Sequence, residues 1–299
     1  MNYLYYKSEL GNFGDDINPW LWPKLIPESA SNKDSYFLGI GSILHTENRH
    51  FLNIENKKKI IFGTGIRPSN TYKKFSLDEN WEVKFLRGPL SAKYLGNSHE
   101  YITDAAYAVR QLNSFVDIQN TEKKYEISIM PYFNSMKYFD WERIAKNLGY
   151  HFISPYSENG VEHTLREIAA SKYLISEAMH GAILADVLRV PWHRFVLTTP
   201  YTEGERVSDF KWNDWMESID IFNPDTSFIP FYQKSRLHEP IRKFTRNMVS
   251  VNFFAKGHVQ DKLIKSLNHI SNFSMSNDSV LGEIDTKIHE KIVGFNSRK

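Results

Sequence analysis

Five stretches of this sequence put glycine, charged or polar residues directly after short apolar runs. That is where open parallel sheets bind their ligands. Residues 11–20 (GNFGDDINPW) hold Gly11 and Gly14 for tight turns, Asp15 or Asp16 as a helix cap, and Pro19 for that helix's first turn. Such a helix start offers N–H groups to an anion or a sugar hydroxyl, although a capped helix without a ligand reads the same way. The aspartate pair has no third ligand at a diagnostic metal spacing. Residues 39–42 (GIGS) form a second glycine turn, but Leu44 stands where the dinucleotide fingerprint needs its third glycine, which argues against a nicotinamide cofactor. Residues 63–68 (GTGIRP) form a third, with Arg67 able to meet an anion.

The fourth stretch, residues 85–96 (FLRGPLSAKYLG), puts Arg87 just past an apolar run, then Gly88 to turn and Pro89 at a first helical position. A guanidinium there can grip a carboxylate or phosphate with two bonds, or pair with a nearby acid at the surface. The fifth, residues 175–192 (ISEAMHGAILADVLRVPW), ends a strand at Ile175 and begins a helix near His180 and Gly181. The helix dipole favours the neutral imidazole, which can serve as acid, base or phosphate partner. A lone histidine can equally be structural. No zinc motif, G-x-S-x-G elbow or Walker A loop is present, and the chain has no cysteine. Thiolate metal sites, disulfides and a cysteine nucleophile are therefore excluded.

The elements that must position these residues follow a βα rhythm. Strands are predicted at residues 2–6, 36–40, 59–62, 83–86 and 100–102, then 126–130, 151–153, 173–175 and 194–197. Helices are predicted at 138–148, 161–170, 179–188, 212–218 and 230–253, with a loop or tail at 273–279. A polar stretch at 112–124 separates the two sets. The chain has 299 residues, enough for about two domains. The reading is α/β: two doubly wound domains, 1–122 and 123–230, followed by C-terminal helices and tail, 231–299, that return to the first domain. A net charge of +2 excludes a protein that coats polyanions through bulk charge, so no nucleic-acid partner is expected. Residues 1–16 lack a basic segment followed by an apolar one, and no apolar run approaches a membrane span, so a soluble cytoplasmic protein is expected.

Taken in order, NFGDDINPWLW, GIGSIL, the GTG turn with Arg67, RGPLSA and SEAMHGAILADVLRVPW resemble the polysaccharide pyruvyl transferase family over residues 12–192. The resemblance implies two Rossmann-like domains facing a cleft, similar to GT-B glycosyltransferases. It implies transfer of pyruvate from phosphoenolpyruvate to two hydroxyls of a sugar, with release of phosphate and no metal or organic cofactor. Arg87 and His180 match the places thought to hold phosphoenolpyruvate, and Asp104 fits the usual order. Ala178 stands where several members carry an arginine, for which Arg67 or another cation would compensate. The catalytic candidates are His180, Arg87 and a carboxylate among Asp15, Asp16 and Glu177. The substrate-binding candidates are Asn12, Gly14, Gly41, Ser42, Gly63, Thr64, Gly65, Arg67, Asp104, Ser176 and Gly181. A nucleotide-sugar glycosyltransferase and a non-catalytic carbohydrate-binding protein are the competing readings.

Residues 236–265 carry a net charge of +5, and Ile241, Phe244, Met248 and Val251 recur at helical spacing beside Arg242, Lys243 and Arg246. This helix either closes the two domains or docks on an anionic membrane carrying a lipid-linked acceptor; the first reading is preferred. Trp20, Trp22, Trp212 and Trp215 are candidates for stacking on sugars or for the core.

Overall fold

The computed structural model describes residues 1–27, 32–68, 74–231 and 251–297. Two wholly parallel sheets carry the chain. The first has strands β1 (Asn2–Tyr3), β2 (Ser35–Leu38), β3 (Lys58–Phe62) and β4 (Trp81–Phe85) in sequential order. The second has β5 (Tyr125–Met130), β6 (His151–Phe152), β7 (Ser171–Ser176), β8 (Trp192–Val196) and β9 (Thr226–Phe228), in the order β6-β5-β7-β8-β9. Only the second sheet reverses its winding, between β5 and β7, so the doubly wound expectation holds there and fails for the first. Residues 100–102 are not a strand; Tyr101 makes a single bridge to Leu86. The short strand β9 is additional.

Helix α1 (Phe13–Leu25) begins earlier than the sequence reading placed it, with Asn12 as its N-cap. Asp15 and Asp16 therefore lie in its first turn, and Pro19 lies in its second. Pro19 has no N–H for the carbonyl of Asp15. The Asn18 side-chain amide donates to that carbonyl at 3.1 Å instead. The same amide donates to Ile40 O at 3.1 Å, and its oxygen accepts from Ile40 N at 2.9 Å and from Trp22 Nε1 at 3.0 Å. A fully buried Asn18 thus staples α1 to the glycine turn after β2.

Helices α2 (Arg49–Leu52) and α3 (Pro89–Tyr94) follow β2 and β4, and α4 (Phe115–Gln119) precedes the second sheet. Helix α5 (Trp141–Leu148) buries Trp141, Ile144, Ala145 and Leu148, one stripe at 3.6-residue spacing. Asp140 caps it by accepting from Arg143 N at 3.1 Å, and Gly149 ends it in the left-handed region at φ 71°. Helices α6 (Val161–Ala169) and α7 (Met179–Val187) flank β7, and α7 is apolar on nearly every face because it is buried between elements of both halves. Helix α8 (Glu205–Ser218) follows a π-helical turn at Pro200–Gly204.

Two further helices, α9 (Val251–Leu267) and α10 (Asp278–Asn296), complete the described chain. Helix α10 returns to the first sheet: Phe295 meets Phe37 and Phe62 edge-on at 5.9 and 6.3 Å between ring centres. Residues 273–279 are not a loose tail. Ser274 bridges to Trp192, and fully buried Asp186 accepts from Ser276 N at 2.7 Å and Ser276 Oγ at 2.6 Å. Most of the expected basic helix, including Ile241, Arg242, Lys243, Phe244, Arg246 and Met248, lies outside the described residues. No helix among the described residues is long and apolar enough to cross a membrane. Trp22, Trp212 and Trp215 are buried core residues, and Trp20 carries Lys24 on its ring face at 3.6 Å.

Candidate active site

The carboxyl ends of both sheets open into one cavity of about 540 Å³. The first sheet supplies Asn12, Gly14 and Asp15 after β1, Gly41 and Ser42 after β2, Arg67 after β3 and Arg87 after β4. The second supplies Tyr132 after β5 and Ala178, His180 and Gly181 after β7. The winding reversal between β5 and β7 leaves a crevice between their ends, where such sheets bind ligands.

Arg87 is the fixed cation of this cavity. Its Nε donates to Asp214 Oδ2 at 2.9 Å and its Nη1 to Ser42 Oγ, while the buried Nη2 has no partner among the described residues. Asp214 also accepts from Ser91 N at 2.8 Å and Ser91 Oγ at 2.6 Å. The guanidinium lies against Gly65, where a Cβ would stand 2.3 Å from Cζ. Gly65 N and Thr64 Oγ1 both donate to Gly41 O, at 3.0 and 2.9 Å, so the two glycine turns hold each other. Gly63 has φ +87° and packs against Phe85 and Ala105, behind the cavity wall.

His180 sits in the first turn of α7, against the start of α1. A Cβ on Gly14 would stand 2.0 Å from its Nδ1, so only glycine admits the ring. Its Nε2 is buried, has no hydrogen-bond partner among the described residues and lies 3.8 Å from Asp104 Oδ1. Burial, with Lys211 and Arg87 nearby, lowers the imidazole to about 3, so it is neutral at physiological pH. Asp104 caps the 3-10 helix Ala105–Gln111 through Ala106 N at 2.9 Å and is pushed up to about 6 by burial. It is fully buried behind His180 and does not line the cavity.

The three candidate carboxylates separate by environment. Asp15 lines the cavity, and burial pushes it up to about 7 against the opposing hydrogen bond from Asn12 and charge of Lys211. It can therefore exchange protons near neutral pH. Asp16 accepts from Asn12 N at 3.2 Å and from Ser157 Oγ, joining α1 to the second half of the chain. Glu177 accepts from Thr198 N, Thr198 Oγ1 and Thr199 N at 2.5, 3.1 and 3.1 Å, and from Leu197 N and Tyr132 N. This cage ties β7 to the loop after β8, and neither Asp16 nor Glu177 lines the cavity. Ser176 also stands behind it: its Oγ donates to Ala178 O at 2.7 Å and fills the space Gly181 leaves.

Sequence reading missed Lys211, Glu203, Tyr132 and Asp214. Tyr132 stands two residues past the end of β5 and was findable by the rule applied to the other strands. Lys211, Glu203 and Asp214 follow no strand directly, so that rule passes over them. Among the described residues no tryptophan lines the cavity.

The profile of the polysaccharide pyruvyl transferase family matches residues 2–196. The succinoglycan biosynthesis protein ExoV of Rhizobium meliloti (strain 1021) is 34% identical over 226 residues, 74% of this chain and 66% of that protein. The chain thus spans slightly less than two thirds of that relative's length. A solved protein of Klebsiella pneumoniae subsp. pneumoniae NTUH-K2044 superposes with a TM-score of 0.44 at 18% identity, covering 77% of this chain and 92% of that one. The wall teichoic acid polymerase TagF gives 0.36 at 12% identity, over 99% and 89%.

Proposed function

The chain belongs to the polysaccharide pyruvyl transferase family, and from that premise we propose that it moves pyruvate from phosphoenolpyruvate to two hydroxyls of one sugar in a polysaccharide or its lipid-linked precursor. The observation that carries this reading is the convergence of Arg87, Asp15 and His180 at the carboxyl ends of both sheets. The donor holds a carboxylate and a phosphate close together, and Arg87 presents a pre-oriented fork with unspent donors. In this reading residues 1–122 and 123–230 act as two lobes about the cleft, in the manner of GT-B enzymes.

The chemistry needs one proton delivered to carbon and two removed from oxygen. A group of the enzyme protonates the methylene carbon, while the first sugar hydroxyl attacks the adjacent carbon and gives up its proton. The C–O bond to phosphate then breaks, the second hydroxyl closes the ring, and its proton leaves with hydrogen phosphate. The net products are a ketal bearing a methyl and a carboxylate, and inorganic phosphate. Asp15 is suited to carry the protons because it is half ionised near pH 7. His180, neutral in the free site, is suited to hydrogen-bond the donor, whose negative charge raises the ring's proton affinity. The reading carries with it a cytoplasmic location, where phosphoenolpyruvate is available, and contact with the inner membrane face if the acceptor is lipid-linked.

Thermal unfolding with phosphoenolpyruvate, inorganic phosphate and a panel of nucleotide sugars tests the donor. A ligand at about 100 times its dissociation constant adds about 2.7 kcal/mol, a shift of roughly 5–10 °C. A shift with phosphoenolpyruvate that is lost in Arg87→Ala supports the reading. A shift with a nucleotide sugar alone replaces it with glycosyl transfer.

A further inference from the structure

A second ion pair borders the same cavity and differs from the Arg87 pair in every way that matters for binding. Lys211 projects from α8, and its Nζ lies 2.8 Å from Glu203 Oε2. Glu203 comes from the π-helical turn Pro200–Gly204, and its other oxygen accepts from Tyr132 Oη at 2.6 Å. All three side chains line the cavity. The side chains of Lys211 and Glu203 are 17% and 10% exposed, so both are largely withdrawn from water but open to a ligand.

Arg87 is held from two sides: Nε donates to Asp214 and Nη1 to Ser42, and Arg87 and Asp214 are both buried. Lys211 instead sits on a flexible four-carbon stem with three donors. Glu203 is pinned independently by Tyr132, so it keeps a partner when the ammonium moves away. A donor carrying both a phosphate and a carboxylate brings more negative charge than Arg87, already paired, can neutralise. Arg49 and Arg67 also line the cavity, but among the described residues Lys211 is the lysine in its wall, and it acts electrostatically on Asp15, Asp104 and His180 together.

We propose that Lys211 is a second anion-binding residue for the phosphate–carboxylate donor, kept in place in the free protein by Glu203 and transferred from that carboxylate to the incoming anion. The inference rests on the donor assignment above and adds to it a residue and an internal competitor. Glu203 stands where the ligand's anion must compete, so the two members of the pair should have opposite effects on binding. A purely structural ion pair would give effects of the same sign.

The test is calorimetric binding of phosphoenolpyruvate, and separately of inorganic phosphate, to the full chain and its variants, each checked for folding by thermal unfolding. Lys211→Met should weaken both ligands by about tenfold or more, as loss of a charge-assisted contact does. Lys211→Arg should stay within a few-fold of the wild type, and Glu203→Gln should tighten binding several-fold. Binding by Lys211→Met within twofold of the wild type overturns the proposal and leaves the donor assignment standing. Weakening by Glu203→Gln also overturns it, and this arm holds even if Lys211→Met fails to fold. Failure of the wild type to bind either ligand would instead remove the donor assignment, and this inference with it.

Discussion

Arg87 and Asp214 stand 127 positions apart and meet at 2.9 Å with side chains 1% and 0% exposed. The contact joins the loop after β4 to helix α8, so a residue from the connection between β8 and β9 of the second sheet orients the arginine of the first. Ser91 completes the node from α3, and a Cβ on Gly88 would collide with the Asp214 carbonyl at 1.7 Å. In the proposed reading Asp214 is a positioning residue that acts through Arg87.

Breaking this pair from one side leaves a charge buried without compensation, which costs about 3–5 kcal/mol. Asp214→Ala should lower the unfolding temperature by roughly 6–20 °C. Asp214→Asn keeps the shape and should lose less stability while raising KM for the donor more than it lowers kcat. A donor KM unchanged in a folded Asp214→Asn protein would contradict the positioning role.

Gly14→Ala tests the placement of His180. The added methyl would stand 2.0 Å from Nδ1 and 2.9 Å from Cβ of the histidine, so the ring must move. A displacement of about 1 Å at a reacting group costs about 100-fold in rate. Activity should fall on that order, and donor binding should weaken by less than in Arg87→Ala, because Arg87 keeps its place. Steady-state kinetics beside calorimetry separates the two.

Asp15 should make stability depend on pH in a known direction. Its folded value of about 7 lies above its ordinary 3.8, so the native state holds the proton more tightly than the unfolded chain does. Its contribution is full below about pH 4 and is lost as pH rises through about 7, a span corresponding to about 4 kcal/mol. Asp15→Asn should therefore gain unfolding temperature relative to the wild type between pH 5 and pH 8, and lose catalysis. His180 has the opposite sign: its lowered value of about 3 means its contribution is lost as pH falls below about 6.5. Unfolding temperatures of Asp15→Asn, His180→Gln and the wild type across pH 4–8 check both signs.

Phe295 closes the first sheet from the far end of the chain. Phe295→Ala removes an aromatic ring packed on Phe37 and Phe62 and should cost about 3–5 kcal/mol. Urea unfolding should show a lower midpoint with the slope retained. Little change would mean that α10 contributes less to the core than its packing indicates.

Much of this arrangement was legible in the sequence. Apolar runs ending in glycine or arginine mark β2, β3 and β4, an apolar run ending in Ser176 and Glu177 marks β7, and the rule that ligands gather at carboxyl ends leads directly to Asn12, Ser42, Arg67, Arg87 and His180. The three carboxylates could not be ranked, because their difference is environmental. Glu177 directly follows β7, yet its oxygens are taken by N–H groups of residues about 20 positions later. Asp15 and Asp16 are neighbours, but the helical turn aims one at the cavity and the other at Ser157. The roles of Asp214, Glu203 and Lys211 were illegible for a related reason. They depend on how α8 packs on α3, a long-range contact with no local signature. Winding order was likewise beyond local pattern: β1 to β4 read like a doubly wound set and assemble in sequential order.

Turnover tests the central claim most directly. The full chain would be incubated with phosphoenolpyruvate and an exopolysaccharide oligosaccharide bearing a free vicinal or 4,6-diol. Phosphate release would be followed together with the proton spectrum of the acceptor. The account predicts acceptor-dependent phosphate release, one new ketal methyl signal per phosphate, and loss of both in Arg87→Ala. Phosphate release without the methyl signal, or modification of the acceptor only when a nucleotide sugar replaces phosphoenolpyruvate, would contradict it.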